Sequence, residues 1–576
     1  MMRVGRFGDS VALLDELQRV EPRSAACAGL LAEALTAEGK FDRALYQYER
    51  LLTLRPMDAV GAIGVLHVLS LAMRKEEAVR RGAELSERFG RDARFVLFRS
   101  SALVNAGHAE EAALVVREAM RKIGPDPSLA GALGSNLLTL GRAAEAERTV
   151  REALEHSPGN PNLQALLASA LHYLKAEDGG ESLALHTAIG RTIESAWPVI
   201  DPLSFENVPD PERVLRVGLL SADLRSHAVS RFVEGILQHH DRSRVWVGCF
   251  HVFPSEDEVT RRFRAMSGGW FGFREKNPRL VAQEVWNQKI DVLIELGGLS
   301  GNSLLPVMVP RVAPVQASAI GYPDTTGLSV MDYRLVDSLT DPPGEAERRS
   351  REKLERLDPY FLCYTPDGPL PALGADRTGE EVVFGSFNKL AKHSDAALVV
   401  WKRILDALPR ATLFIKSGVL GNAQTREAFL ERLGSAGISP ERVRTAGFVP
   451  SAADHLSAYN GVDIALDTFP YNGTTTTCEA LVMGVPVVAM EGLRHAGRVG
   501  LSLLTAAGLS DCIVRAADAY VEKAVELARA RPSRAELRAR VLSSALCDGP
   551  AYAARWEAAV RRMWRSWCER RHGASR

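Results

Sequence analysis

The sequence predicts an array of antiparallel helices followed by two α/β domains. Three observations support this fold class: an internal period of 34 residues in the first third, short apolar runs that alternate with helical segments after about residue 213, and a content of 46% hydrophobic residues in a chain of 576. A chain of this length and composition can bury more than one core. We therefore expect an all-α superhelix and two doubly wound, Rossmann-like domains.

The repeat is carried by four alanines that recur every 34 residues, namely Ala44, Ala78, Ala112 and Ala146. This is the tetratricopeptide period, and a small side chain is needed where two antiparallel helices approach most closely. Helix-ending residues follow twelve positions after three of these alanines, at Pro56, Gly90 and Pro158, and thirteen positions after Ala112, at Pro125. We assign residues 1–180 to the repeats and 181–212 to a helical linker, with helices expected at 162–174 and 181–197.

The array also predicts a partner. Stacked repeats of this type form a concave surface that usually binds a protein or peptide, so a protein or peptide acceptor is expected. The alternative is a module that serves only dimerisation or solubility. The register runs back to Ser10 and Pro22, so we expect the given sequence to begin inside a repeat. A second subunit could then cover the exposed helix face, which leaves a homodimer open.

The remaining chain is divided into residues 213–370 and 371–576. Strands are expected at 216–220, 245–253, 291–296 and 315–320 in the first part, and at 382–386, 412–416, 443–446, 462–466 and 485–490 in the second. Because helical segments separate many of these runs, both sheets are predicted to be mostly parallel, with ligands at the carboxyl ends of the strands. A terminal amphipathic helix over 551–570 should cross back and pack Trp556, Trp564 and Trp567 on the core.

Charge and cysteine content exclude several classes of protein. Lysine plus arginine equals aspartate plus glutamate at 71 each, so no global field favours nucleic acid or an anionic membrane. The seven cysteines are scattered without paired spacing, which suits a reducing cytoplasm and argues against a disulfide framework or a zinc site. No apolar run approaches the roughly 18 residues of a spanning helix. We expect a cytoplasmic protein.

One stretch, residues 463–486, organises the predicted chemistry. An apolar strand ends at Asp467, Pro470 breaks it, and Asn472 and Gly473 precede four consecutive threonines, Thr474, Thr475, Thr476 and Thr477, that open a helix. Free backbone N–H groups, hydroxyls and the positive helix end then meet in one place, which suits a diphosphate. The alternative is that the threonines only cap the helix.

This stretch, DTFPYNGTTTTCEALVMGVPVV, together with HAGRVGLSLLTAAGL from His495, resembles the nucleotide-sugar site of the tetratricopeptide-containing protein O-glycosyltransferases, the family of O-GlcNAc transferase and SPINDLY. Further matching segments are LLSADLRSHAVSRF, APVQASAIGYPDTTG, MDYRLVDSLTDPP, EKLERLDPYFLCYTP and FGSFNKLAK. The resemblance covers nearly the whole chain in one order, in the manner of a bacterial-type member. It implies the GT-B arrangement, in which two Rossmann-like lobes form a cleft.

The resemblance implies roles for individual residues. The family's essential lysine falls on Lys392, where a cation could balance charge on the departing diphosphate. His227 matches a histidine near the acceptor, and it is left open whether it is the general base or only binds. Nucleotide-sugar contacts are expected from Thr474 to Thr477 and from Asn472, Gly473, Glu479, Lys389, His455 and His495. Glu479 is expected on the first helical turn, where it could instead complement the helix dipole.

Lys353 and Tyr322 are less specific matches that could be structural, and Asp467 could cap the loop. The chain departs from many relatives at ELGGLSGN, where Leu299 and Ser300 replace an aromatic or histidine and a threonine. It also has only a short segment between the two lobes. No paired acidic motif or His/Cys cluster shows metal spacing, so we expect no metal and no cofactor beyond the nucleotide-sugar co-substrate.

The resemblance thus predicts an inverting, metal-independent transfer of GlcNAc from UDP-GlcNAc to Ser or Thr hydroxyls of proteins. One alternative is a SPINDLY-type O-fucosyltransferase that uses GDP-fucose, because several motifs are closer to SPINDLY. Another is a non-catalytic scaffold whose repeats bind a partner and whose α/β part senses a nucleotide sugar. A third is an enzyme that glycosylates a lipid or small molecule.

Overall fold

The computed structural model describes residues 7–176, 180–195, 205–376 and 381–574. The chain divides into two compact units. In the described part, the first unit comprises residues 7–170 and 417–431, and the second comprises residues 171–416 and 432–574. The division falls between Ala170 and Leu171, inside the helix that was expected at 162–174. No described helix has the length and apolar character that crossing a membrane requires.

The first unit is built from helix pairs. Its helices are α1 Phe7–Val20, α2 Ala25–Ala37, α3 Phe41–Leu54, α4 Ala59–Leu71, α5 Lys75–Phe89, α6 Ala93–Asn105, α7 Ala109–Ile123, α8 Pro127–Thr139, α9 Ala143–His156 and the first part of α10 Pro161–Leu174. The four alanines of the period lie in α3, α5, α7 and α9 and are at most 1% exposed. The helical repeat array is therefore confirmed.

Helix capping follows the same period. The first helix of each pair begins after a residue whose side-chain oxygen accepts from backbone N–H groups of the first turn, and these residues recur every 34 positions: Ser24, Asp58, Asp92, Asp126 and Asn160. Serine, aspartate and asparagine are the preferred residues for this position, because they satisfy N–H groups that the helix cannot. Each repeat therefore fixes the start of its own first helix.

A ladder of ion pairs connects successive second helices. Arg74 binds Asp42 at 3.0 Å, and Arg142 binds Glu110 at 3.0 Å, each across 32 residues. His108 occupies the corresponding position between these two arginines. Its ring Nδ1 lies 3.3 Å from the side-chain amide of Asn422, which belongs to the segment 417–431 and precedes α17 Ala423–Ser435. At this one repeat the residue in the ladder position therefore contacts Asn422 instead of an acidic residue of the preceding repeat.

The first helix leaves apolar side chains exposed. Leu13, Leu17 and Val20 on α1 are 56%, 42% and 78% exposed. The homodimer that would cover this face stays a prediction.

The second unit contains two parallel sheets. The first has the strands β1 Leu215–Ser221, β2 Val245–Val252, β3 Gly269–Phe273, β4 Val292–Glu295, β5 Val315–Ser318, β6 Tyr333–Val336 and β7 Lys353–Arg356. Their order is β3-β2-β1-β4-β5-β6-β7 among the described residues. The helices of this part are α11 Glu181–Ser195, α12 Ser230–His239, α13 Glu258–Met266, α14 Pro278–Asn287 and α15 Leu305–Met308.

The second sheet has the strands β8 Val383–Ser386, β9 Thr412–Lys416, β10 Val443–Ala446, β11 Ile464–Leu466, β12 Val487–Met490 and β13 Ile513–Val514. Their order is β10-β9-β8-β11-β12-β13 over the part of the chain described. The accompanying helices are α16 Asp395–Ala407, α18 Ala452–Ser457, α19 Thr475–Val482, α20 His495–Ala506, α21 Ala517–Ala530, α22 Arg534–Leu542 and α23 Gly549–Ala574. The prediction of two doubly wound α/β domains is confirmed.

Four observed strands, β3, β6, β7 and β13, were not among those predicted. Strands β6 and β7 read YRLV and KLER, and their charged residues interrupt the apolar runs by which the other strands were recognised. The helix predicted at 181–197 is observed as α11 up to Ser195, and Trp197 lies outside the described residues. In the predicted linker, α11 packs on the first α/β domain, where a Cβ on Gly190 would lie 2.1 Å from the carbonyl oxygen of Gly327.

The terminal helix α23 returns to the first α/β domain, as expected. It packs against α12, the indole N–H of Trp564 donates to the carbonyl of Asp210 at 2.9 Å, and the hydroxyl of Tyr552 donates to the carbonyl of Phe361 at 2.9 Å. Trp556 and Trp564 are buried. Trp567 stacks on Trp564 with ring centroids 4.6 Å apart.

Candidate active site

The candidate site lies at the carboxyl ends of the strands of the second sheet. Strand β8 leads into the segment Phe387 to Lys389 and a short 3-10 turn, Leu390–Lys392. Strand β11 leads into Asp467 and the loop before α19, and β9 ends at Lys416. Because parallel strands present their carboxyl ends at one edge, these segments meet there, as is typical of ligand sites in open α/β sheets.

The loop between β11 and α19 is built around Asp467. This carboxylate is 2% exposed, and its Oδ1 accepts from the backbone N–H groups of Gly473 at 2.6 Å and Thr468 at 2.8 Å. A Cβ on Gly473 would lie 3.0 Å or less from Asp467 and from two threonine hydroxyls, so only glycine fits. Asn472 is fully buried, and its side chain bonds the carbonyl of Thr468 and the N–H of Gly500. Asp467, Asn472 and Gly473 therefore shape the loop.

The threonine row begins helix α19, which starts at Thr475. Thr474 precedes the helix, but its side chain makes no capping hydrogen bond. Thr474, Thr475 and Thr476 are half-buried, whereas Thr477 is buried, and the hydroxyl of Thr476 donates to Asn388 at 3.0 Å. Thr474 therefore does not cap the helix through its side chain, contrary to the capping alternative, and anion binding here stays a prediction.

Lys392 is directed at this loop. Its ammonium group donates to the backbone carbonyl of Asn472 at 2.6 Å and lies 4.0 Å from the centre of the Tyr471 ring. Burial lowers the pKa of Lys392 to about 7, with Asp467 opposing the shift and Lys389 adding to it. Because this pKa lies near neutral pH, a neighbouring anion would shift Lys392 strongly toward its charged form.

A second group surrounds the position expected for the nucleotide. The Nε2 atom of His455 lies 3.0 Å from a carboxylate oxygen of Glu479, and its Nδ1 lies 2.7 Å from the ammonium nitrogen of Lys416. Phe387 is tilted against His455 with ring centroids 6.1 Å apart. Glu479 is the fifth residue of α19, so its expected place on the first turn is wrong. The Glu479 carboxylate is paired with His455, which argues against the alternative that Glu479 only complements the helix dipole.

The first α/β domain contributes His227, in the loop between β1 and α12. Its Nδ1 lies 3.3 Å from the backbone nitrogen of Val229 and 3.7 Å from a carboxylate oxygen of Asp223. Burial lowers the pKa of His227, Asp223 opposes this, and Arg225, Lys389 and Arg231 lower it further. Lys389 belongs to the second α/β domain, so the loop that carries His227 lies near the loops of that domain, and the predicted cleft is the space between them.

Glu295, at the end of β4, lies on the same side of the cleft as Asp223. It is fully buried, and its carboxylate accepts from the N–H groups of Gly297 at 2.9 Å and Gly298 at 2.7 Å. Burial raises the pKa of Glu295 to about 7. This carboxylate shapes the loop ELGGLSGN, which contains Leu299 and Ser300.

Three predicted contacts are placed elsewhere. His495 is buried at the start of α20, with Nδ1 2.5 Å from Asp341 and its ring edge-on to Phe361, both in the first domain. The hydroxyl of Tyr322 lies 2.8 Å from His186. Lys353 is exposed at the amino-terminal start of β7, the end of the sheet opposite the cleft. Donor contacts by His495 and Tyr322 stay predictions, whereas Lys353 lies at the wrong end of its strand for the expected contact.

Sequence reasoning did not single out Tyr471, Asn388 and Lys416. Tyr471 lies inside the quoted loop motif, directly before Asn472, but an aromatic residue in a turn has no specific signature. Lys416 does carry a signal, since a basic residue that ends an apolar strand is placed at the ligand edge of a parallel sheet.

One group of the described residues has the composition of a metal site. Side-chain atoms of His172, His186 and Asp324 lie within 4.8 Å of one another. However, the Arg494 guanidinium donates to Asp324 Oδ2 at 2.6 Å, and the Ser182 hydroxyl donates to the same oxygen at 2.7 Å. A cation already neutralises this carboxylate, so the residues fit a buried ion pair better than a metal.

Comparisons with known proteins find a matching family and several similar proteins. The model of a family described as glycosyl transferase family 41 matches residues 201–364 and 376–555. The SPINDLY proteins of Petunia hybrida and Arabidopsis thaliana, named as probable UDP-N-acetylglucosamine–peptide N-acetylglucosaminyltransferases, are each 42% identical over 64% of this chain. The chain spans about two fifths of their length, 40% and 41%.

A solved structure gives a fuller match. A mutant of the Thermobaculum terrenum O-GlcNAc transferase superposes with a TM-score of 0.81 and is 31% identical, and the match covers 88% of this chain and 97% of that one.

Proposed function

Because the chain belongs to glycosyl transferase family 41, we propose that it is a protein O-glycosyltransferase that transfers GlcNAc from UDP-GlcNAc to Ser or Thr hydroxyls. The observation that carries the proposal is the position of Lys392, whose ammonium is held against the loop at the start of α19. A nucleoside diphosphate seated there would meet a cation, hydroxyls and the positive helix end together. The names of the relatives support UDP-GlcNAc as the donor.

The proposed chemistry divides between the two sides of the cleft. The acceptor hydroxyl oxygen forms the new bond to the anomeric carbon, while the bond from that carbon to the diphosphate breaks with its electron pair leaving on oxygen. Lys392 and the N–H groups of α19 stabilise this developing charge. His227, whose lowered pKa favours the neutral ring, accepts the hydroxyl proton at Nε2 in the tautomer that carries its own proton on Nδ1, toward Asp223. In-line displacement inverts the anomeric centre.

Metal-independent transfer is part of the proposal. It is supported by the chemistry of the donor seat, which combines an ammonium group with hydroxyls and the helix end at the position expected for the diphosphate. The ends of Glu479 and Lys416 are bridged by His455, which gives the nucleotide moiety a polar wall with defined hydrogen-bonding groups.

We further propose that the helical repeats bind the protein acceptor, since stacked repeats of this kind expose an extended concave surface. We place the reaction in the cytoplasm. All seven cysteines are free, and six of them are buried, which suits a reducing compartment.

The test is a donor panel. Purified protein is incubated with acceptor peptides and with UDP-GlcNAc, other UDP-sugars or GDP-fucose, and modified peptide is quantified by mass spectrometry. We expect transfer from UDP-GlcNAc and a loss of at least a hundredfold in Lys392→Met. The matched control is Lys402→Met on α16, because Lys402 pairs with Asp406 on the surface.

Transfer from GDP-fucose alone would replace the donor assignment. Undiminished turnover in Lys392→Met would refute the role of that lysine, and binding of a nucleotide sugar without transfer to any acceptor would favour the scaffold.

A further inference from the structure

Two stacked tyrosines lie behind the ammonium group of Lys392. The Tyr471 ring, in the loop between β11 and α19, has the Lys392 nitrogen 4.0 Å from its centre. The ring of Tyr173, in the last turn of α10, stacks on Tyr471 with centroids 5.3 Å apart and an interplanar angle of 17°. His172 meets Tyr471 edge-on at 6.2 Å. The end of α10 therefore supports the loop that carries the threonines.

These contacts restrict the directions in which Lys392 can donate. An ammonium group has three N–H donors. One is used by the carbonyl of Asn472 at 2.6 Å, and the negative face of the Tyr471 ring attracts the same cation from a second direction. The donors that remain are directed away from both partners. Since a lysine side chain is long and flexible, fixing the nitrogen at two points removes most of its freedom.

We propose that Tyr471, supported by Tyr173, is a positioning residue that orients the Lys392 ammonium toward the leaving diphosphate and preserves its charge. The inference rests on the proposed transfer reaction, because it assigns a role within the donor site. Neither tyrosine touches the reacting atoms. Each acts through Lys392, and the last turn of α10 becomes part of the catalytic apparatus.

The charges around Lys392 set the expected response. Asp467, in the loop after β11, favours the ammonium form, and Lys389, in the segment after β8, disfavours it. On α10, burial lowers the pKa of His172, so this ring is uncharged at neutral pH, and burial raises the pKa of Tyr173. Burial likewise raises the pKa of Tyr471, which keeps its hydroxyl uncharged. Since Asp467 and Lys389 shift the pKa of Lys392 in opposite directions, the attraction of the Tyr471 ring face can decide how much of Lys392 is charged.

Removing the ring should shift the pH dependence in one direction. The ammonium form is the active one, so the rate is lost as the pH rises through the pKa of Lys392. Without the ring this loss should occur about one pH unit lower, the size of a cation–π contact with a desolvated cation.

The experiment compares Tyr471→Leu and Tyr173→Leu with Tyr471→Phe and Tyr173→Phe, which keep the rings. For each full-length variant, kcat and the donor KM are measured with UDP-GlcNAc between pH 5.5 and 9. We expect Tyr471→Leu to lose about tenfold in kcat at pH 7.5, with a smaller change in KM and a downward shift of the basic limb. Tyr173→Leu should shift the limb in the same direction by less, and the phenylalanine variants should restore it.

If the wild type is active and the leucine variants lose kcat at the same high pH as the wild type, this inference is overturned and the proposed function stays intact. A wild type that transfers nothing from any donor would overturn the proposed function instead. Thermal unfolding monitors folding, and if Tyr471→Leu does not fold, Tyr173→Leu decides, because it lies on a different element and leaves the loop sequence intact.

Discussion

Replacing Asp324 with asparagine should destabilise the second unit. Asp324 Oδ2 accepts from Arg494 at 2.6 Å, from the Ser182 hydroxyl at 2.7 Å and from His172 at 3.0 Å. These partners come from the start of α20 and from α10 and α11, so one carboxylate joins three parts of the unit. Burial alone would raise the pKa of Asp324, but His186, His172 and Arg494 outweigh it and hold the pKa well below its usual range.

The magnitude follows from burial. The side chains of Asp324 and Arg494 are 10% and 11% exposed. Breaking a buried ion pair by neutralising one member costs about 3–5 kcal/mol, because the other charge is left without compensation. Asparagine keeps part of the hydrogen bonding, so we expect about 3 kcal/mol. The wild-type advantage should be present above the unfolded pKa of about 3.9 and disappear as the pH falls through the lower folded value.

Urea unfolding followed by tryptophan fluorescence measures this selectively, since all eight tryptophans lie at residue 197 or later. A double-mutant cycle with Arg494→Met should recover more than half of the loss, because the uncompensated charge is then removed. A loss below about 1 kcal/mol in Asp324→Asn, or additive effects in the cycle, would refute the ion-pair argument.

Two further predictions concern packing and proton transfer. Gly190→Ala should destabilise the second unit by about 1–3 kcal/mol in the fluorescence assay, since the new Cβ would lie 2.1 Å from the Gly327 carbonyl oxygen. The control is Gly301→Ala, because a Cβ on Gly301 would have no neighbouring atom within 4 Å. Equal stabilities of the two variants would contradict the packing described. Burial lowers the pKa of His227, so kcat/KM should stay high until the pH falls below about 6.5 and then decline as the imidazole is protonated. If the same decline at low pH persists in His227→Gln, His227 is not the base.

The repeats could be predicted from the sequence because their signal is periodic and local. Ala44 and its equivalents recur at every repeat, and the caps at Asp58 and Asp92 repeat at the same interval. The strands that were missed, such as β7 with the sequence KLER, carry charges that local patterns assign to loops. Their place in the sheet is set by pairing with a neighbour, which is not a local property.

The same distinction applies to the site. Lys392 and the threonine loop were predicted because they lie in compact motifs, whereas the pairing of His495 with Asp341 joins residues 154 positions apart. Tyr173 was likewise invisible as a site residue, since it reaches the loop only through stacking on Tyr471. Contacts of this range require the folded chain.

The ladder between Arg74 and Asp42, and again between Arg142 and Glu110, has an evolutionary consequence. Since Arg74 reaches back by one repeat, duplication of the module that carries it would place the second copy of Arg74 opposite Glu76, and an ion pair of the same kind could form at the new junction. The number of modules can therefore increase on that side at little cost. Downstream of His108, where Asn422 attaches, an added module would separate the two binding partners, so the count there is constrained.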